Sequence, residues 1–309
     1  MTTDGAAPAG TGVIHDLGYQ HYDGPRLGRP AIIRALAWHS LRSAFGIGRG
    51  AKAKIVPILA LILMCLPAIV NAVAVAQDPG QPSIVDYDTY TYQLRTLVML
   101  IFVAAQAPEL VSRDLRSHVL PLYCSRPMRR LDYPLAKYAA FTAGCLLLVE
   151  IPLIILYVGN LLSASGGSGV WEQTKALIPG LGVGVLWALL LAAIGLVLAS
   201  FTGRRAYATG MIAIYFFLTW TLAGILVEIA QHGAGPGPVT SGIPLGARLP
   251  GLISPFTVLD GVRQWLGGTN PGPIPPPGSV GAWYGVMFLV LLAASLGGLA
   301  ARYQKVGAA

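Results

Sequence analysis

Charge is the property that this sequence has least of. Only 11% of its 309 residues are charged, whereas 54% are hydrophobic; soluble domains carry roughly 25% charged and about 45–50% apolar residues. A chain this poor in charge cannot cover the surface of a soluble protein, which excludes the soluble domains that its length alone suggests. The net charge of +8 does not indicate nucleic acid binding, because the Lys and Arg residues lie between apolar runs rather than on one face.

Signatures of catalysis and of metal binding are also absent. The three cysteines form no CxxC pair, and no Gly is followed by Lys, so the sequence holds no GxxxxGK[ST] phosphate loop. None of the five histidines lies inside a long apolar run, and neither an HExxH motif nor a nucleophile elbow occurs. We therefore expect no enzymatic activity, no metal site and no cofactor on this chain.

The sequence does contain six apolar runs, each long enough to cross about 30 Å of hydrocarbon as a helix of roughly 20 residues. They predict an all-α integral membrane protein whose transmembrane domain, residues 55–301, has spans at 55–76, 93–111, 136–160, 177–201, 206–229 and 281–301. The second run is the weakest because Arg95 and Glu109 shorten its uncharged centre. We expect Arg95 to extend to the membrane interface.

The positions of the basic residues predict the orientation, because short cytoplasmic loops are enriched in Lys and Arg. If both termini are cytoplasmic, all but four of the 21 Lys and Arg residues lie on the cytoplasmic side; the four exceptions are Arg95, Lys175, Arg248 and Arg263. Omitting the second run would place the basic residues 126–130 outside. The pattern favours six spans with both termini cytoplasmic, and we expect them in the cell membrane, as a bacterial inner-membrane protein.

Two cytoplasmic segments and one interfacial helix are predicted outside the spans. Residues 1–30 form an N-terminal segment without a cleavable signal peptide, and residues 302–309 form the tail. Residues 31–50 place Ile32, Leu36 and Ser43 at helical spacing, which predicts an amphipathic helix in the membrane interface. A solvated helical linker is the alternative.

The last external connection, residues 230–280, is long, rich in Gly and Pro and almost uncharged. Its apolar centre, residues 253–266, is suited to short helices. The segment either dips into the outer leaflet, where irregular backbone is tolerated if protein or water covers it, or forms an exposed loop. The sequence leaves both alternatives open.

Glu150 is the one acidic residue deep inside a predicted span, and Pro152 follows it. Three roles stay open for this carboxylate: pairing or hydrogen bonding inside the bundle, handling of substrate or protons, and contact with lipid.

Segment 112–135, which follows the second span, combines charged residues with short apolar stretches. A compact helix with an apolar face and a charged rim suits docking into a groove on a soluble protein. An ordinary basic loop is the alternative.

This segment and its surroundings resemble the type-2 ABC exporter permeases. In that family an acidic residue and an Arg-containing segment end the second span, followed by a Leu-rich helix, a Ser-Arg-Pro turn and a Lys that opens the third span. The matching residues here are Glu109, Arg113, Asp114, Leu120, Leu122, Ser125, Arg126, Pro127 and Lys137. Residues 22–29 also resemble the entry segment of actinobacterial members. The motifs cover residues 19–138, and the six spans extend the likeness over the whole chain.

The resemblance implies the permease subunit of an ATP-driven exporter, which moves a hydrophobic or amphipathic substrate such as a drug, a lipid or a secondary metabolite. Its implied partners are two copies of a separate ATPase, which binds ATP and Mg²⁺, and a second permease subunit, identical or different. Segment 112–135 would be the coupling segment on the ATPase.

The resemblance also implies roles for individual residues. The ATPase contacts would be Arg113, Asp114, Arg116, Leu120, Leu122, Arg126, Arg129 and Arg130, with a minor contact at Arg204 and Arg205. The translocation path between two permease subunits would be lined by Met99, Phe102, Gln106, Phe216, Phe217 and Trp220, for which ordinary helix packing is the alternative. Two other functions stay open for the chain: an ion-coupled carrier or channel that depends on Glu150, and a membrane scaffold that transports nothing.

Overall fold

A computed structural model describes residues 24, 27–77, 86–87, 90, 92–117, 119, 123, 127–164, 166–232, 245–268, 272 and 275–306. All regular secondary structure in these residues is helical. Six of the helices are long and apolar enough to cross a membrane. The all-α architecture predicted from the apolar runs is therefore confirmed, and it fits an integral, multi-pass membrane protein.

The described residues form the following helices, given in chain order. They are α1 (Arg29–Ala44), α2 (Ala51–Gln77), α3 (Tyr92–Arg116), α4 (Asp132–Ser163), α5 (Gly166–Ala199), α6 (Arg205–His232), α7 (Leu245–Arg248), α8 (Pro255–Trp265) and α9 (Gly281–Val306), with 3₁₀ turns at Pro250–Leu252 and Gly278–Val280. The six candidate spans are α2 to α6 and α9. Each is longer than its apolar run, because helical hydrogen bonding continues through the polar residues at its ends.

The third helix lies at the centre of the bundle. In its most apolar window 72% of the residues are buried inside the protein, compared with 22% in α6 and in α9. It packs against α2, α5 and α6. The outer helices instead expose apolar side chains such as Ile58 and Ile62 of α2, which suits hydrocarbon as the surrounding solvent.

Small residues bring the spans close together. Gly159 of α4 lies directly against Ala72 of α2, and Gly195 of α5 lies against Val103 of α3, so that a Cβ atom on either glycine would overlap its neighbour. Close backbone approach at glycine is a common way for helices to associate in a membrane, where no hydrophobic effect drives them together.

The first helix packs against α3 and along the N-terminal half of α4, with Arg29 beside Asp132 and with Leu41 and Ala44 beside Gly144. Its buried side is formed by Leu36, Ser40 and Ala44. The turn to α2 depends on Gly46, whose φ of 69° is left-handed and whose Cβ would lie only 2.6 Å from the carbonyl oxygen of Ala53. Of the predicted interfacial helix at residues 31–50, residues 31–44 are helical and residues 45–50 form the turn to α2; its amphipathic character and its position in a membrane stay predictions.

The connection between α6 and α9 is not an exposed loop throughout. Ser254 and residues 255–263 of α8 are all buried, against α5, α6 and α9. This part of the connection is therefore not an exposed loop, and a position of the segment in the outer leaflet stays a prediction.

Candidate functional site

A buried carboxylate at the C-terminal end of α3 joins three arginines. The side chain of Glu109 is 5% exposed; its Oε1 lies 2.6 Å from Arg49 and 3.3 Å from Arg113, and its Oε2 lies 3.0 Å from Arg205. These arginines come from the α1–α2 turn, from α3 and from the first turn of α6. We call these four residues the Glu109 cluster. A single carboxylate therefore connects the ends of three spans.

A second acid, Asp114, is held by α4. The Lys137 ammonium lies 2.9 Å from its Oδ2, and the Tyr133 hydroxyl donates a hydrogen bond of 2.6 Å to the same oxygen. A polar cavity of about 240 Å³ borders Glu109, Asp114 and Lys137, with His39 of α1 on its wall. This end of the bundle is therefore a compact ionic network.

The predicted ATPase-contact residues divide into an inward and an outward set. Asp114 is directed into the protein, towards Lys137. The outward set consists of cations: the Arg113 side chain is 64% exposed, and Arg116, Arg129 and Arg130 are also exposed. The remaining predicted contacts, Leu120, Leu122 and Arg126, lie outside the described residues.

The structure places the predicted minor contact beside the main one. Gly203, in the turn that precedes α6, lies against the backbone of Arg116, and a Cβ on it would be 3.5 Å from the Cα of that residue. The Ser112 hydroxyl donates a 2.8 Å hydrogen bond to the Ala199 carbonyl at the end of α5. Arg204 and Arg205 are both exposed. Two segments that are far apart in sequence thus form one basic surface.

A further ion pair ties α1 to this surface and was not anticipated from the sequence. Arg29 donates hydrogen bonds of 2.7 and 2.5 Å to the Asp132 carboxylate. The same carboxylate accepts a hydrogen bond of 2.8 Å from the backbone N–H of Arg129. The hydrogen bond to Asp132 raises the pKa of the Arg29 guanidinium above its usual value. Asp132 therefore fixes both α1 and the C-terminal side of the coupling segment.

The prediction for Arg95 is wrong. Its side chain is fully buried in the protein instead of extending to the interface. The guanidinium carbon lies 4.5 Å from the ring centroid of Trp187 and 5.9 Å from that of Tyr92. It also interacts electrostatically with Glu150 and Asp260. The two aromatic rings and the two acids stabilise the guanidinium in place of the water that it would contact at the interface.

Glu150 points between two spans. Both of its carboxylate oxygens are buried and accept no hydrogen bond from the described residues. The carboxylate lies against Gly184 of α5, where any larger side chain would overlap it. The lipid-contact alternative is therefore wrong for this carboxylate, and its pairing role is limited to electrostatic interaction with Arg95.

A fully buried ion pair lies within α8, and sequence reasoning missed it. Arg263 and Asp260 have side chains 2% and 0% exposed, and Nε lies 3.0 Å from Oδ1. Gln264 donates a hydrogen bond of 2.8 Å to the other oxygen of the Asp260 carboxylate. The Tyr92 hydroxyl of α3 donates a hydrogen bond of 3.2 Å to the Phe256 carbonyl of α8. Burial raises the pKa of Asp260, although the neighbouring Arg263 acts in the opposite direction.

Most of the residues predicted to line a translocation path are packed inside this subunit. Met99, Phe102 and Phe216 are fully buried and Gln106 is 3% exposed, whereas Phe217 is 61% exposed. Phe102 stacks on Phe141, and both Phe216 and Trp220 contact Phe256 of α8. In this conformation the six residues do not share one surface, and helix packing accounts for the buried ones.

Comparison with protein-family models gives no match for this chain, and comparison with curated proteins gives none either.

Proposed function

We propose that this chain is the permease subunit of an ATP-driven ABC exporter. In this proposal, two such subunits move a hydrophobic or amphipathic substrate outward by alternating access when a separate ATPase binds and hydrolyses ATP. The proposal starts from the sequence resemblance over residues 19–138. The observation that carries it further is the Glu109 cluster.

The Glu109 cluster gives a coupling segment a route to the spans. A force applied to Arg113 or Arg116 acts on α3 directly, and through the Glu109 carboxylate it reaches α6 by Arg205 and the α1–α2 turn by Arg49. The contact of Gly203 with Arg116 supplies a second connection to α6. The central position of α3 suits this role, because a displacement of α3 changes its packing against α2, α5 and α6.

The basic surface around the coupling segment also fits a soluble partner with an acidic docking groove. The acidic residues of this region form ion pairs within the chain: Glu109 with three arginines, Asp114 with Lys137 and Asp132 with Arg29. Among the described residues of this surface, the exposed charges that remain are positive, so that they are available to carboxylates of another protein and increase its association rate.

The test is co-purification in detergent with the ABC ATPase encoded by the neighbouring gene. We expect Arg116→Glu combined with Arg129→Glu to abolish co-purification, because both side chains are exposed and neither forms a side-chain ion pair within the described residues. Lys175→Glu is the control, since this exposed cation lies near the opposite end of α5. Equal recovery of the ATPase with the double variant and with wild type would reject the coupling surface.

Glu150 supports a second candidate, an ion-coupled carrier. A buried carboxylate that accepts no hydrogen bond from the described residues is free to bind a proton or a cation. This candidate predicts substrate uptake into liposomes that contain the chain alone under an imposed proton gradient, and loss of that uptake in Glu150→Gln. Uptake that requires the ATPase and survives Glu150→Gln would reject it.

A further inference from the structure

The outward face of α1 carries an Arg-Trp-Arg stripe. Arg34, Trp38 and Arg42 follow at intervals of four residues, which places them one above the other on a helix. All three are exposed, and the Trp38 side chain is 63% exposed. This face is opposite the side that packs on the bundle through Leu36 and Ser40. The stripe is therefore available to something outside the subunit.

The positive charge of this face is not balanced by acids among the residues that the structure describes. Lys52 and Lys54, in the first turn of α2, add two exposed cations to Arg34 and Arg42. Within the described part of the chain none of the four makes an ion pair. The acids that contact this region are committed elsewhere, Glu109 to the Glu109 cluster and Asp132 to Arg29. The face is thus complementary to an anionic surface.

The position of the stripe along the membrane normal follows from α2. Immediately after Lys54, this span exposes Ile55, Ile58 and Leu59, side chains that require hydrocarbon rather than water. The two lysines therefore mark the boundary between hydrocarbon and headgroups. Residues 45–50 connect that boundary directly to α1, and Trp is enriched at headgroup level in membrane proteins.

We propose that α1 and the first turn of α2 form a docking surface for the acidic headgroups of membrane phospholipids. Arg34, Arg42, Lys52 and Lys54 pair with the headgroup phosphates, and the indole of Trp38 inserts between the lipids. A soluble protein partner would not match this face as well, since its largest apolar side chain is an exposed Trp beside a hydrocarbon-facing helix. The inference requires only that the chain spans a membrane and is independent of the transport function proposed above.

The test uses the full chain in phosphatidylcholine nanodiscs that contain either brominated phosphatidylglycerol or brominated phosphatidylcholine, because bromine quenches nearby Trp fluorescence. The signal of Trp38 is the difference between wild type and Trp38→Phe. Each basic residue near an anionic surface increases local lipid concentration by roughly fivefold. We expect half-quenching of Trp38 at a mole fraction of brominated phosphatidylglycerol at least about fivefold lower than that of brominated phosphatidylcholine.

The variants separate charge from folding. Replacement of Arg34, Arg42, Lys52 and Lys54 by Gln should remove the preference of Trp38 for phosphatidylglycerol over phosphatidylcholine. The double variant Arg34→Lys with Arg42→Lys should keep this preference. Lys175→Gln is the matched control, because this cation also lies beside a Trp, with Nζ 5.7 Å from the ring centroid of Trp171, at a distant place on the chain. Raising the salt concentration from 0.05 to 0.5 M should weaken the wild-type preference.

Three results would overturn the proposal. One is equal quenching of wild-type Trp38 by the two lipids. Another is a preference for phosphatidylglycerol that persists in the four-residue Gln variant. The third is a Trp38 that neither lipid quenches and that becomes shielded only when the ATPase is added, which would assign this face to a protein partner.

Discussion

Two carboxylates of this protein bind arginine in different surroundings. Asp260 and Arg263 of α8 are 0% and 2% exposed, and their pair is enclosed by α5, α6 and α9. Glu109 is similarly buried at 5%, but two of its arginines, Arg113 and Arg205, are 64% and 59% exposed. In the first case both charges have left the solvent. In the second only the acid has done so.

This difference determines what each pair can do. Removing one partner of a fully buried pair leaves a buried charge that has lost its counter-charge, so the Asp260 pair favours one fixed packing of α8. Arg113 and Arg205 can turn to water or to another protein at little cost, because more than half of each side chain is already exposed. We infer that α8 is a static part of the bundle, whereas the Glu109 end is suited to exchange contacts with a partner.

The largest effect is expected for Asp260→Asn. Asn keeps the shape of the side chain but removes the charge opposite the buried Arg263, which should lower the free energy of unfolding by about 3–5 kcal/mol. Thermal unfolding of the purified protein in detergent measures the loss. Glu172→Gln is the control, since this acid is exposed on α5 and makes no ion pair among the described residues. A loss as small as that of the control would show that this buried pair does not stabilise the packing of α8.

A smaller effect is expected for Glu109→Gln. Two of the arginines that it releases, Arg113 and Arg205, are exposed and can hydrate, so the cost is mainly that of lost charge-assisted hydrogen bonds, about 1.5–3 kcal/mol. Arg205→Gln should cost less than 1 kcal/mol, because this arginine is exposed and two others still contact the carboxylate. Unfolding measured at low and at high salt sharpens the comparison.

High salt should reduce the difference in free energy of unfolding between Glu109→Gln and wild type, because solvent ions reach the arginines around Glu109. It should leave the difference between Asp260→Asn and wild type unchanged. Equal sensitivity of the two variants to salt would contradict the distinction between a static and an exchangeable pair.

The sequence predicted the parts of this structure that depend on local composition. Apolar run length was sufficient to place six helices, and the positive residues supported the doubtful second one. The helix ends were less predictable: α5 begins at Gly166 and continues through the polar Glu172 and Lys175, which do not interrupt helical hydrogen bonds. Composition reports the apolar centre of a span and not its full length.

The candidate site was only partly predictable, because its pairs are distant in sequence. No local signal connects Arg49 to Glu109 or Arg95 to Trp187. The buried pair of α8 does have a local signal, since Asp260 and Arg263 stand three residues apart and would share one face of a helix. Short helices were predicted for residues 253–266, but the pair was missed because its burial depends on packing against α5, α6 and α9, which are distant in sequence.

The smallest effect is expected at a third acid, Glu150, which lies between the two cases. Its carboxylate is buried like that of Asp260, but it accepts no hydrogen bond from the described residues, and Arg95 acts on it only electrostatically. Glu150→Gln removes the cost of burying a charge and also removes the attraction to Arg95. These two changes oppose each other, so we expect the free energy of unfolding to change by less than about 1 kcal/mol. A loss of 3 kcal/mol or more would place Glu150 with Asp260 as a structural acid. If stability is unchanged and ATPase-dependent efflux is lost, Glu150 acts on the substrate or on protons. The charges that can change partners would then include a carboxylate in the interior of the protein, in addition to the arginines around Glu109.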